Sequence, residues 1–107
     1  MEMIVLKPYL DIIEYFGVRN QMRKLNEECF EFLEAVDNYE DELRFHLGGT
    51  VYENTCKEHV IEEMSDILVL LTEFIAKYNI KQEDLNPFMD YKLNRTLERI
   101  KSKFYDK

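Results

Sequence analysis

The chain reads as an all-α protein, a helical bundle of about four helices, and three observations carry that reading. Only three glycines and two prolines interrupt 107 residues. Apolar side chains recur at three- and four-residue steps, the period of one buried helical stripe. Charged residues make up 34% of the chain beside 46% apolar, a balance that suits long helices with solvated outer faces. The length is that of one domain, residues 1–107, near the size at which a second copy adds useful apolar burial. Completion of the bundle by oligomerisation, as a homodimer or homotetramer, is therefore expected.

The elements follow in order. A first short helix starts at Pro8, acceptable in an opening turn, runs through Leu10, Ile12, Ile13, Tyr15 and Phe16, and ends at Gly17. Asn20 then serves as N-cap of a second helix striped by Met22, Leu25, Cys29, Phe32, Leu33 and Val36, reaching Tyr39 or beyond. Residues 37–47 fit either an extension of that helix or a separate turn before Gly48-Gly49, the clearest break in the chain. Residues 50–55 read as a connector. From Cys56 the stripe Val60, Met64, Ile67, Leu68, Leu71, Phe74, Ile75 and Tyr78 defines the most apolar helix, ending near Asn79. Residues 82–86 with Pro87 are a linker or a helix start. Phe88, Tyr91, Leu93, Leu97, Ile100 and Phe104 mark a last amphipathic helix, basic through Lys92, Arg95, Arg99, Lys101 and Lys103.

Charge narrows the function. With 22 acidic against 14 basic residues the net charge is -8, which repels a nucleic-acid polymer or an anionic membrane surface but not a small phosphorylated ligand bridged by a divalent cation. The longest apolar run, 67–71, is far below the roughly 20 residues that span a bilayer. Glu2 stands where an export signal would want positive charge, so a cytoplasmic location is expected. Cys29 and Cys56 lack a C-x-x-C or Cys/His context and read as reduced and structural.

The chemistry is concentrated in two strings, EECFE at 27–31 and EEMSD at 62–66. Positions i and i+3 lie on nearly one helix face, so Glu28 with Glu31, and Glu63 with Asp66, each present two carboxylates in one direction. A lone Glu-x-x-Glu is usually solvated surface. Here both motifs are doubled and both sit in the most apolar helices, which antiparallel packing would bring side by side. Four carboxylates offer only hard oxygen donors. They favour Mg²⁺, with Mn²⁺ or Ca²⁺ as alternatives, over Zn²⁺, and the absence of Glu-x-x-His argues against a di-iron site.

With KLNEECFEFLEAV at 24–36, HVIEEMSDILVLL at 59–71 and YKLNRTLERI at 91–100, the chain resembles the MazG-like nucleotide pyrophosphohydrolases of the all-α NTP pyrophosphatase superfamily. The resemblance covers roughly 21–100 and implies that Glu28, Glu31, Glu63 and Asp66 are catalytic Mg²⁺ ligands. It further implies that a nucleoside triphosphate is the substrate, cleaved between its α- and β-phosphates to a monophosphate and pyrophosphate. The interval of about thirty residues between the motifs is longer than in compact members of that family and contains Gly48-Gly49, which bears on the substrate pocket more than on the metal site.

Other residues carry two readings each. Lys92, Arg95 and Arg99 line one face of the last helix at i, i+3 and i+7 and can hold phosphates, with Asn94 beside them; the alternative is a solvated basic face. Lys24 can reach a substrate phosphate or form an ordinary i, i+4 ion pair with Glu28. Gln21 can meet a base edge. Glu27 and Glu62 stand open between outer positions of the site and solvent. His46 and His59 show no carboxylate or nucleophile partner at a recognisable spacing and read as surface histidines. Tyr9, Tyr15, Phe16, Phe30, Phe45 and Tyr52 exceed the needs of a small core and suit a subunit interface better than a base-stacking pocket. The rival functions are a non-catalytic helical interaction module and a hydrolase of another phosphorylated metabolite such as a phosphoribosyl nucleotide.

Overall fold

The computed structural model describes residues 3–45 and 51–105. They form four helices: α1 (Met3–Phe16), α2 (Val18–Phe45), α3 (Val51–Lys77) and α4 (Gln82–Tyr105). No strand occurs among the described residues, as the apolar spacing demands.

α1 begins before Pro8, which lies inside it. A proline withholds one N–H from the carbonyl four residues earlier, and so near the helix start that loss falls in the first turns. Gly17 alone joins α1 to α2, with φ 88°, and its N–H donates to the Ile13 carbonyl at 2.8 Å. This left-handed residue is what a helix stop requires, and glycine adopts it without steric penalty. Asn20 is not an N-cap. It lies inside α2, and its side-chain amide donates to the Phe16 carbonyl at 2.7 Å, closing the end of α1 instead.

α2 runs without interruption through 37–45, because no glycine or proline breaks that stretch. Residues 46–50, with His46, Gly48 and Gly49, lie outside the described residues. α3 then starts at Val51, so 51–55 is helix rather than connector, with Glu53 in the first turn, where a carboxylate complements the helix dipole. α3 closes with a two-bond cap: Ile80 N–H donates to the Ile75 carbonyl at 3.0 Å and Asn79 N–H to the Ala76 carbonyl at 3.4 Å. Asn79 takes φ 51°, a conformation asparagine tolerates better than most residues. Residues 82–86 are helix start, not linker: Asp84 accepts from the Lys81 N–H at 2.9 Å and α4 continues through Pro87.

α2 and α3 form the principal pair, α1 lies mainly on α3, and among the described residues α4 packs closely on none of the other three helices. The pair is antiparallel, since Gln21 near the start of α2 bonds Glu73 near the end of α3 at 2.7 Å, while Glu28 and Glu31 further along α2 meet Glu63 further back on α3. The Lys77 ammonium ties α3 to Glu14 of α1 at 2.8 Å. Ile13, Ala35, Cys56 and Leu70 are the buried apolar side chains, matched by buried Gln21, Glu28, Glu42 and Glu73. Half of these buried residues are thus polar. Cys29 and Cys56 are free thiols, as expected. No described helix is long and apolar enough to cross a membrane.

Candidate metal centre

Two elements build the site. α2 carries Glu28 and Glu31 one turn apart, and the antiparallel register brings Glu63 of α3 to them. One carboxylate oxygen from each of the three lies within 4.8 Å of the others. Glu28 is 6% exposed; its Oε1 is 3.2 Å from the Lys24 ammonium, and Glu63 Oε1 is 3.2 Å from His59 Nε2. The second oxygens of both, Glu28 Oε2 and Glu63 Oε2, are buried and meet no hydrogen-bond donor.

An unmet buried acceptor costs about 1–3 kcal/mol, more when it is charged. Two of them on adjacent carboxylates form a cradle that a cation would complete. Titration expresses the same crowding. Burial pushes the Glu28 carboxyl up, but the Lys24 ion pair and hydrogen bonds shared with Glu31 and Glu63 outweigh it and hold Glu28 below the usual carboxylate range. The Glu28 charge in turn pushes exposed Glu31 above that range, with Glu63 adding to the effect. Lys24 is raised by its bond to Glu28. The donor set is all oxygen, which fits a hard divalent cation.

The fourth expected ligand, Asp66, stands outside this group of three. It is exposed and lines an adjacent cavity of about 750 Å³ together with Lys24, Glu27, Glu28, Gln21 and Glu73. With Gln21 level with Glu73, seven residues along each helix set Asp66 level with Glu28, but aspartate is one methylene shorter than the glutamates that converge. Glu27 thus belongs to the cavity wall, whereas Glu62 is exposed and lines neither cavity nor cluster.

The basic residues separate into two groups. Lys24 stands at the site. Lys92, Asn94, Arg95 and Arg99 are exposed along α4, and because α4 packs closely on no other helix among the described residues they are not brought to Glu28, Glu31 and Glu63. Arg95 lies over the Tyr91 ring at 5.7 Å, a cation–π contact within α4.

Two residues of the site were missed by pattern. His59 does have a carboxylate partner, Glu63 at i+4, a spacing that could have shown it. Glu73, 2% exposed, is the single acid in the mostly apolar stretch 67–76, and an acid in such a stretch is the signal that could have found it. Comparison of the chain with family models, with curated proteins and with solved structures finds no match.

Proposed function

We propose that this chain is a Mg²⁺-dependent nucleoside triphosphate pyrophosphohydrolase of the MazG-like kind, with Mn²⁺ able to replace Mg²⁺. The observation that carries it is the pair of buried, donorless oxygens on Glu28 and Glu63, converging with Glu31 beside a cavity wide enough for a nucleotide. Glu28, Glu31 and Glu63 would hold the cation, with Asp66 at the cavity side. When bound, it supplies neutralisation of the triphosphate charge and Lewis acidity toward the phosphate oxygens.

This chain's residues do the rest. Lys24 holds a phosphate at the mouth of the cavity. Glu27, on the cavity wall, takes the proton of the attacking water. The water oxygen bonds to the α-phosphorus, the bond from that phosphorus to the bridging oxygen breaks, and pyrophosphate leaves with the electron pair. His59 positions Glu63 through their shared contact. Pyrophosphate release from dNTPs or NTPs in Mg²⁺ is the test. Glu63→Gln is expected to lower turnover at least about 100-fold, and full activity in that variant would sink the site.

The enzyme is proposed to act as a homo-oligomer. The radius of gyration is 18.1 Å, against about 13 Å for a compact chain near this length. The accessible surface is 8975 Å², against about 6,300 Å² for a folded monomer of this mass. Much of the excess is apolar: Phe88, Tyr91, Leu93, Leu97 and Ile100 of α4 and Phe30, Leu33 and Leu68 of the central pair are more than half exposed. A second copy would cover these faces, and its α4 would bring Lys92, Asn94, Arg95 and Arg99 to the acidic site, where opposite charges complement one another. Sedimentation of the full chain tests this, and a monomer at tens of micromolar would overturn it.

A further inference from the structure

The cavity beside the carboxylates has a far end that the hydrolytic reaction does not use. There Gln21 and Glu73 lie buried, the Gln21 side-chain N–H donating to Glu73 Oε1 at 2.7 Å, and Phe16, Ile12 and Val69 form an apolar wall around them. A carboxylate withdrawn from water needs donors, since it offers about four acceptor positions. The Gln21 amide supplies one. Gln21 also keeps a second N–H and its own carbonyl for another partner. A buried acid on the wall of a ligand-sized cavity, with one amide beside it, is suited to recognise N–H donors.

We infer that Gln21 and Glu73 form a base-selecting seat for guanine nucleotides. The inference rests on the nucleotide reading above and names its substrate class. Guanine presents, along one edge, an acceptor (O6) followed by two donors (N1–H and the N2 amino group). Glu73 accepts from both donors and Gln21 donates to O6, while Phe16, 52% exposed at the cavity rim, offers its face to the ring. The other bases fit worse. Uracil and thymine place a single donor between two acceptors, so one carboxylate oxygen meets a carbonyl. Cytosine and adenine place a ring-nitrogen lone pair beside their amino group, opposite the same carboxylate.

The spacing agrees with one ligand occupying both ends. Gln21 lies two helical turns before Glu28, and Glu73 two turns after Asp66, so the base seat is about 10 Å from the carboxylate cluster. That is comparable with the reach of a nucleotide from its α-phosphate to the far edge of its base.

The test is calorimetric titration of the full chain with GMP, AMP, CMP and UMP in Mg²⁺; monophosphates lack the bond to be cleaved, so binding is read apart from turnover. GMP is expected to bind about tenfold or more tightly than the others, the discrimination a bidentate contact provides. Glu73→Gln is expected to abolish that preference, and Phe16→Ala to weaken all four ligands alike. Should Glu73→Gln lose helix content by circular dichroism, Gln21→Leu gives the second reading, with the guanine preference reduced at unchanged fold. A purely structural Gln21–Glu73 link would lower the melting temperature of these variants and leave base preference where it was, which overturns the inference. Equal binding of the four monophosphates, or no binding of any, overturns it as well. Guanine preference without pyrophosphate release from any triphosphate would keep this seat and remove the pyrophosphohydrolase reading. Release without base preference would do the reverse.

Discussion

Glu28 and Glu31 share a helix face and titrate in opposite directions, and the sign of each shift fixes how stability responds to pH. The Glu31 carboxyl is raised from its ordinary 4.5 by the Glu28 charge, so the folded protein binds its proton more tightly than the unfolded chain does. Its contribution is complete below pH 4.5 and is lost as pH rises through the raised value. Glu28, lowered, contributes above 4.5 and loses that contribution as pH falls. In EDTA at pH 7, Glu31→Gln should therefore raise the melting temperature, with the gain fading toward pH 4; in saturating Mg²⁺ the order should reverse, because a ligand has been lost. Thermal melts at the two pH values check both arms. Lys24→Met removes the ammonium that meets Glu28 at 3.2 Å. With the Lys24 side chain 54% exposed, solvent screens much of that pair, and the expected loss in urea unfolding at pH 7 is only about 1 kcal/mol. At this scale Glu28, Glu31 and Glu63 were legible because i, i+3 spacing within an apolar stripe is a one-dimensional signal. His59 and Glu73 were not, because their meaning depends on which side chain stands opposite.

The helices were legible wherever apolar period and breakers agreed. Gly17 ends α1 and an apolar stripe marks α3. Boundaries shifted where a residue found a different partner from the one its type suggests: Asn20 turned back to the Phe16 carbonyl, and Asp84 reached back to the Lys81 N–H to start α4 before Pro87. The joint between α1 and α2 is the element most sensitive to one substitution. At Gly17 a Cβ would meet nothing within 4 Å, so the penalty of Gly17→Ala is conformational, from φ 88°, and should be about 1 kcal/mol. Gly17→Asn should lose less, because asparagine tolerates the left-handed region. Denaturant midpoints of the two variants, compared with the parent, read this directly; equal stability of Gly17→Ala and the parent would show that the joint relaxes to another conformation.

At the scale of the whole molecule, the dominant fact is apolar surface that the chain does not cover. Among the described residues α4 packs closely on no other helix, yet Leu97 at 53% and Ile100 at 58% exposure lie on it, and most helical stability comes from packing an apolar face. A charge placed there should separate copies without disturbing the α2–α3 pair. Leu97→Glu is expected to convert a sedimenting dimer or larger assembly to monomer and to lower nucleotide turnover, with the α2–α3 helix content retained. An unchanged assembly in that variant would mean that α4 is not the contact.

Neighbours along the chain suffice to make this protein all-α and acidic and to set two pairs of acids on its most apolar helices, because helical period and net charge are local properties. Which acids converge depends on how the helices pack. The antiparallel register of α2 and α3 gathered Glu28, Glu31 and Glu63, left the shorter Asp66 at the cavity, and joined Gln21 to Glu73 across 52 positions. It also held Lys92, Arg95 and Arg99 away from their own chain's carboxylates. The physical reason is the same in each case: a carboxylate's role follows from the groups across the interface, and two sequence-distant helices set that distance only when they pack.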